Sequence, residues 1–377
     1  MKDEMKVLVV GGGGREHALA WRIFQNPRVR RVYCAPGNAG TARCATNVPI
    51  ADTDIPALLD FARTQEVDLT VVGPEEPLCN GIVDQFQAAG LRIFGPTAAA
   101  AHIEADKAFA KKLMRQQAVP TAEARIFHNY KDARTYVATR DHALVVKAAG
   151  LAKGKGAFVC DEPSEALLAV EKIMKDRIFG RAGDTVLVEE RLTGPEVSML
   201  ALVCEHTIYM LESAADHKPI GEGDVGPNTG GMGSYSPTPL VDEARSRQIE
   251  REILVPIVSA LGREEAPYRG VLYAGLMLTP GGPKVLEFNC RFGDPEAQAQ
   301  ILRLRGGLLE ALEACVDGCL EDVTLEWDGR ASVCVVVAAS GYPDYHEKGK
   351  PISGLEAVPN ADDLMVFHAG TAVEADR

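Results

Sequence analysis

The chain has 377 residues, of which 46% are apolar and 25% charged, and its formal net charge is −13 at pH 7. This length allows two or three domains with their own cores, and the composition is ordinary for a globular protein rather than a fibrous or disordered one. The acidic balance argues against general binding to nucleic acid or anionic membrane, but it leaves anionic small molecules open, because those respond to local lysines and amide groups. No apolar run reaches membrane-spanning length, and Met1-Lys2-Asp3-Glu4 opens no signal peptide.

Residues 6–10 predict a short strand that stops at Gly11, Gly12, Gly13 and Gly14, and residues 15–21 predict a helix. Strand, glycine turn and helix make a phosphate-binding unit, with free amide groups at the positive end of the helix dipole. A dinucleotide site is the other reading. Its G-x-G-x-x-G spacing fails, because Glu16 stands where the third glycine belongs, and the strand over 31–34 runs into 35–41 without an acidic ribose ligand. A sugar phosphate fits better than NAD. A helix over 55–65, a strand over 68–72, the loop 73–78, a helix to Gly90 and a strand over 91–94 continue the alternation. The pattern predicts an open parallel sheet with three glycine-bearing loops at the carboxyl ends of its strands. One such loop is as readily a tight turn, but three on one edge favour a ligand.

Residues 98–117 predict a helix containing Asp106-Lys107-Ala108-Phe109, and a new unit begins after Pro120. Strands over 141–148 and 157–160 flank the loop 149–156, which lacks the spacing and the Ser/Thr of a Walker A motif. A hairpin tip of glycine and lysine suits a flap over phosphates; the alternative is a solvated lysine turn. Residues 165–178 predict an amphipathic helix, and strands follow over 185–190 and 197–204. Glu189 and Glu190, at the hinge between those strands, either take an adenine amino group and ribose hydroxyls or face solvent as a pair.

Asp216-His217-Lys218 and residues 226–233 predict one long irregular stretch without hydrophobic periodicity, of the kind that is usually functional. His217 has no metal-ligand partner at helical spacing and reads as orienting or structural. Residues 285–296 concentrate polar chemistry after a buried strand. Period-two alternation puts Glu287, Asn289 and Arg291 on one face. A carboxylate, an amide oxygen and a guanidinium there suit a magnesium-bound polyphosphate; the alternative is a Glu287–Arg291 salt bridge at a sheet edge. Asp294-Pro295-Glu296 reads as a helix start, with Asp as N-cap and Pro at the first position. Helix is predicted on to about Cys319, then a buried strand over 331–339 and a turn at Gly341-Tyr342-Pro343. The nine cysteines form no C-x-x-C pair, and Cys315 and Cys319 have no His/Cys cluster beside them. With Cys204, Cys290 and Cys334 inside apolar runs, they read as buried free thiols of a reducing cytoplasm.

In this order the blocks resemble the ATP-grasp ligases, and within them the glycinamide ribonucleotide synthetase (phosphoribosylamine–glycine ligase) family. The segments that carry the resemblance are Gly13-Gly14-Arg15-Glu16-His17-Ala18, Pro36-Gly37-Asn38-Ala39-Gly40-Thr41, Val72-Gly73-Pro74-Glu75, Asp216-His217-Lys218, residues 226–233 and residues 287–296. The resemblance implies an α/β protein: an open parallel-sheet, Rossmann-like N-terminal domain (1–104), an ATP-grasp domain (105–325) with a mobile lid (121–193), and a small C-terminal domain (326–377). The chain stops soon after Phe367-His368-Ala369-Gly370-Thr371-Ala372, so that last domain is expected to lack its closing strands and helix.

The resemblance also implies a cytoplasmic monomer that uses ATP with Mg2+ or Mn2+, and a site assignment. ATP would lie between the lid and the large domain. Lys107 and Lys147 would contact its phosphates, Gly154, Lys155 and Gly156 would close over them, and Glu189, Glu190, the Leu192 backbone and Glu196 would read adenine and ribose. Glu287 and Asn289 would hold the metal. Gly13, Gly14, Arg15, Glu16, Asn38, Gly40, Thr41, Pro74 and Glu75 would seat phosphoribosylamine. Asp216, Lys218, Asn228, Thr229, Gly230, Gly231 and Met232 would lie near glycine and an acyl phosphate. Lys147, Arg291, Asp216 and Lys218 would carry the catalysis. The family usually has Asp where Ala149 stands and a small residue where Lys153 stands. The strand over 272–277 lacks the carboxylate that many ATP-grasp enzymes place there, which leaves the number of metals open. The competing readings are an ATP-grasp ligase with another acceptor, an NAD-dependent oxidoreductase and a non-catalytic nucleotide-binding module.

Overall fold

The computed structural model describes residues 4–152, 154–223, 225–343, 345–359, 361 and 363–373. The chain forms two compact units from separated segments. Unit 1 comprises Met1–Gly95, Ala214–Thr238 and Phe292–Arg377; unit 2 comprises Pro96–Ser213 and Pro239–Arg291.

Unit 1 opens with β1 (Met5–Gly11), α1 (Gly14–Phe24), β2 (Val29–Pro36), β3 (Thr46–Asn47), α2 (Ile55–Thr64), β4 (Leu69–Val72), α3 (Glu75–Cys79), α4 (Ile82–Ala88) and β5 (Ile93–Phe94). The strands pair in parallel in the order β3-β2-β1-β4-β5. Val7, Leu8, Val9 and Val10 are all buried, so both faces of the central strand are covered, and this is why it reads as an unbroken apolar run. Parallel pairing brings the ends of β1, β2 and β4 to one edge, and the three glycine-bearing loops start there as predicted.

In unit 2 the helix predicted over 98–117 is two helices, α5 (Ala98–Ala105) and α6 (Lys107–Gln116). Asp106 breaks it, because its carboxylate accepts from the Ala108 and Phe109 amides and caps α6. There follow β6 (Ala124–Phe127), α7 (Tyr130–Ala138), β7 (Leu144–Ala148), β8 (Ala157–Cys160), α8 (Pro163–Val170) and β9 (Val186–Glu190). Their strands form an antiparallel sheet, β6-β9-β7-β8, over a core that includes Val137, Val146, Ile173 and Val188. The helix predicted over 165–178 is α-helical only to Val170 and ends in a π-helical turn, Glu171–Lys175.

After β10 (Glu196–Cys204) and β11 (Thr207–Met210), the chain returns to unit 1 with β12 (Ala215–Gly221) and β13 (Val225–Ser236), an antiparallel hairpin where an irregular loop was expected. Glycine and polar residues occupy both faces of β13, so its alternation leaves no hydrophobic trace, and register shifts between His217 and Pro219 and between Pro219 and Gly221 break it further. Unit 2 is completed by α9 (Glu243–Ile249), α10 (Val255–Arg263), β14 (Arg269–Thr279) and β15 (Gly282–Asn289), in a sheet of order β11-β10-β14-β15.

The last elements of unit 1 are α11 (Glu296–Arg303), β16 (Leu304–Gly306), α12 (Leu308–Asp317), β17 (Glu326–Trp327) and β18 (Ser332–Val335). The continuous helix predicted to Cys319 breaks at Gly306 and Gly307, the latter at φ +86°. Helix α11 starts at Glu296 with Pro295 in the cap position, so Asp294 is not the N-cap; its carboxylate accepts instead from Gln298 Nε2 at 2.6 Å. The buried strand expected over 331–339 is a short edge strand, with Val333 70% and Val335 75% exposed. None of the nine cysteines is in a disulfide; Cys204 and Cys290 are buried and Cys334 is half-buried. Among the described residues, no helix is long and apolar enough to cross a membrane.

Candidate active site

The candidate residues fall into two sets, one in each unit. In unit 1, Glu16 is the point on which the glycine turn closes. Its carboxylate accepts from the Gly13 amide at 2.6 Å and from Arg15 Nε at 2.5 Å, with both charged side chains buried. A Cβ on Gly73 would lie 2.0 Å from Glu16 Oε1, so the loop of Pro74 and Glu75 packs directly on this carboxylate. Arg15 Nη1 donates to the Phe292 carbonyl at 3.1 Å, and the Arg15 amide faces Asp294 Oδ2 at 3.4 Å. A Cβ on Gly14 would lie 2.5 Å from Gln298 Nε2. The start of α1 is thus lined with carboxylates, and two of the amides expected to be free are engaged by them.

Asn38 is buried, and its polar atoms are taken up by the protein. Nδ2 donates to the carbonyls of Gly12 (2.9 Å) and His368 (2.7 Å), and Oδ1 accepts from the Gly40 and Thr41 amides at 2.8 and 3.0 Å. Its own amide donates to Thr41 Oγ1 at 2.7 Å. Asn38, Gly40 and Thr41 therefore brace one another and the glycine turn. A Cβ on Gly40 would lie 2.3 Å from His17 Cε1.

The β12–β13 hairpin brings Asp216 and Lys218 together, Lys218 Nζ lying 3.0 Å from Asp216 Oδ2. Thr229 Oγ1 donates to the Lys218 carbonyl at 2.7 Å and accepts from the Gly231 amide at 2.9 Å. Gly231, at φ +121°, sits where a Cβ would be 2.4 Å from Pro295 Cδ, and Ser234 Oγ donates to the Pro295 carbonyl at 2.8 Å. These contacts join the hairpin to the Asp294-Pro295 turn. Asn228 pairs with Pro219, Gly230 donates to the Tyr342 hydroxyl at 3.1 Å, and the Met232 carbonyl accepts from Val336. His217 stacks near Tyr235, in keeping with a structural role.

In unit 2, Lys147 on β7 is the centre. Its Nζ donates to Glu189 Oε2 at 2.9 Å and to the Leu286 carbonyl at 3.0 Å. That carbonyl is available because Leu286 is bulged: Glu287 opposes Gly275 while Val285 opposes Leu276. Burial would lower the Lys147 pKa, but the carboxylates of Glu189, Glu287 and Glu196 raise it above the usual lysine range. Lys147, Glu189, Glu196 and Glu287 therefore converge from four strands. Glu189 is not solvent-facing: it is 3% exposed, and its other oxygen is held by Lys111 Nζ at 2.9 Å. Glu190 points the other way, to Lys284 Nζ at 3.0 Å and the Glu123 amide at 3.0 Å. Leu192 lies half-buried in the connector between β9 and β10.

Arg291 pairs with Glu104 at 3.1 Å rather than with Glu287, and also reaches Asn289 Oδ1 at 3.3 Å. Glu104 accepts from the Cys290 amide at 2.6 Å. Among the described residues, the half-buried Glu287 carboxylate has no hydrogen-bond or ion-pair partner. With the Asn289 amide oxygen two residues on, it fits a hard divalent cation. The Lys107 amide donates to the Ala149 carbonyl at 2.8 Å, which sets the start of α6 against the root of the flap. Ala149 is buried with Ala108 and Leu187, a pocket that suits alanine and not a carboxylate. At the flap tip Gly154 and Lys155 are exposed, Gly154 at φ +75° with open space around it, while Gly156 is buried against Ala152; Lys153 lies outside the described residues.

Sequence reasoning missed Glu104 and Lys111. Each interrupts an apolar helical stripe, Glu104 with Ala100, Ala101 and Ile103, and Lys111 with Ala108 and Met114. A charge in such a stripe signals a buried partner.

Family models described as the phosphoribosylglycinamide synthetase N domain, ATP-grasp (A) domain and C domain match residues 5–104, 105–297 and 332–377. The phosphoribosylamine–glycine ligase of Rhodopirellula baltica is 52% identical over 376 residues, covering 98% of this chain and 86% of the relative. That of Escherichia coli O6:H1 is 50% identical, covering 99% and 87%. The crystal structure of the Thermotoga maritima phosphoribosylamine–glycine ligase superposes with a TM-score of 0.83 at 32% identity, covering 99% of this chain and 88% of that one. A biotin carboxylase from Campylobacter jejuni, TM-score 0.69 at 15% identity over 87% of this chain and 74% of that one, shares the fold. With all three domain models matched in order and about half the residues shared with the Rhodopirellula baltica and Escherichia coli ligases, the chain belongs to the phosphoribosylglycinamide synthetase family.

Proposed function

We propose that the chain ligates glycine to 5-phosphoribosylamine at the expense of ATP, giving glycinamide ribonucleotide, ADP and phosphate in purine biosynthesis. The observation that carries the reading is the Lys147–Glu189 pair beside the unpartnered Glu287, in a chain whose relatives bear the name of that ligase. A carboxylate is a poor acylating agent. ATP makes it one: the carboxylate of glycine attacks the γ-phosphate and ADP leaves, and the amine nitrogen then attacks the carbonyl carbon of the resulting glycyl phosphate, forming the amide and expelling phosphate. The protein positions the reactants and stabilises charge, and needs no nucleophilic side chain.

In this reading Lys107, Lys147 and Arg291 neutralise phosphoryl charge, and Glu189, Glu190, Leu192 and Glu196 form the purine and ribose end. Glu287 and Asn289 would hold a divalent cation, Mg2+ or Mn2+, which when bound would neutralise further polyphosphate charge. The flap of Gly154, Lys155 and Gly156 excludes water from the acyl phosphate. Glu16, Arg15, Gly13, Gly14, Pro74 and Glu75 seat phosphoribosylamine, with Asn38, Gly40 and Thr41 bracing the turn. Asp216, Lys218 and 228–232 serve glycine. The corresponding domains are 1–104, 105–325 with the lid at 121–193, and 326–377, in a monomeric cytoplasmic enzyme.

The test is ADP release with MgATP and glycine, the sugar amine being formed in place from ribose 5-phosphate and ammonia. Release that requires glycine and the amine together, fails with alanine or aspartate, and is lost in Glu287→Ala supports the reading. A folded, ATP-binding chain that releases ADP with a different acceptor, and not with this one, overturns the acceptor.

A further inference from the structure

Lys111 lies on α6, 2% exposed. It donates to three acceptors: Glu189 Oε1 at 2.9 Å, Thr121 Oγ1 at 2.8 Å and the Ala122 carbonyl at 3.2 Å. The Thr121 hydroxyl gives its own proton to the Val285 carbonyl at 2.7 Å, so towards Lys111 it can only accept. Three acceptors require three N–H donors, which only the ammonium form has. Burial pulls Lys111 below the ordinary lysine range and Glu189 counters it. Glu189, which burial alone would raise, is held below the usual carboxylate range by Lys147 and Lys111.

Two ammonium groups thus share one buried carboxylate, so the Lys111–Glu189–Lys147 triad keeps one net positive charge to set against the Glu196 and Glu287 carboxylates that also face Lys147. If Glu189 faced Lys147 alone, the pair would be neutral. Lys147 meanwhile uses two of its three donors, on Glu189 and Leu286; among the described residues the third has no partner.

We propose that Lys111 is a positioning residue for the nucleotide: it takes up half of the Glu189 charge, so that Lys147 is held in place without being neutralised and presents a cationic N–H to a polyphosphate. Lys111 does not itself touch the ligand. The inference rests on the nucleotide-binding reading of this unit given above.

The test is the affinity of the full chain for MgADP and for inorganic tripolyphosphate, which has no purine, by calorimetry on unmodified protein, Lys111→Met, Glu189→Gln and the double variant. Lys111→Met is expected to weaken both ligands about tenfold, because it removes the net positive charge of the triad and leaves Glu189 to Lys147 alone. The double variant restores that charge and is expected to recover tripolyphosphate affinity to within about threefold of the unmodified chain. A purely structural role predicts the reverse, with the double variant at least as weak as Lys111→Met, and that result would overturn the proposal. So would unchanged affinity in Lys111→Met. If Lys111→Met does not fold, Lys111→Gln keeps a donor in the same pocket and serves the same comparison. Failure of the unmodified chain to bind either ligand would overturn the nucleotide reading, and this proposal with it.

Discussion

The backbone amide of His368 donates to Nδ1 of His17 at 2.8 Å, tying helix α1 to a segment near the end of the chain. With Nδ1 as acceptor, the neutral ring carries its proton on Nε2, which is buried without a partner among the described residues. Burial, reinforced by His368 and Arg43, lowers the His17 pKa to about 4. Below pH 6.5 the unfolded chain therefore takes up a proton that the folded chain refuses. The stability present above pH 6.5 is lost as the pH falls towards 4, to the extent of about 3 kcal/mol. Urea midpoints measured from pH 7 to pH 4 are expected to fall less steeply for His17→Gln than for the unmodified chain. Parallel curves would show that His17 does not govern this window.

Gly40 faces the same two imidazoles. Its backbone is in an ordinary region, so alanine is excluded by space alone: a Cβ would stand 2.3 Å from His17 Cε1 and 2.7 Å from His368 Cβ. Gly40→Ala is expected to cost about 1–3 kcal/mol and to raise KM for phosphoribosylamine, leaving KM for ATP unchanged. An unaltered KM for the amine would detach this loop from the sugar site.

Glu104 holds both the Cys290 amide and the Arg291 guanidinium. Glu104→Ala removes this acceptor from both and is expected to lower kcat about a hundredfold, with a stability loss of about 1–3 kcal/mol. Glu104→Gln keeps an acceptor for the amide and should fall between. If Glu104→Ala lowers Tm but keeps kcat, Arg291 does not depend on this partner for its chemistry.

For Glu287→Gln, the concentration of free Mg2+ giving half-maximal turnover should rise by about tenfold or more. Tm should change by only a few degrees, since among the described residues the half-buried Glu287 carboxylate makes no hydrogen bond or ion pair and acts on Lys147 only through its charge. An unchanged metal requirement would place the cation elsewhere.

The sequence carries the parallel sheet openly, because β1 and β4 are short apolar runs ending in glycine and β2 and β5 repeat the signal; only β3, two polar residues at the sheet's edge, is not foreseen. It carries the residues of 285–296 through their chemistry and spacing. The hairpin of β12 and β13 is silent: a strand of glycine, threonine and asparagine has no apolar face to betray its period. Asn38 shows a different limit. Its conspicuous motif invites a ligand role, yet its side chain is spent on Gly12, His368, Gly40 and Thr41, which only coordinates reveal. Glu104 and Lys111 were legible as charges out of place, but their partners lie on other elements.

The two units interleave along the chain, with boundaries after Gly95, Ser213, Thr238 and Arg291. During synthesis, the unit that owns the N-terminus is the last to be finished. Its parallel sheet can form early, but β13 waits for β18, and α1 waits for the His368 amide. Unit 2 has all its strands once Arg291 has left the ribosome. Cotranslational folding therefore runs out of order: the glycine turn after β1 is made early but is braced through Asn38 and His17 only once His368 has been added.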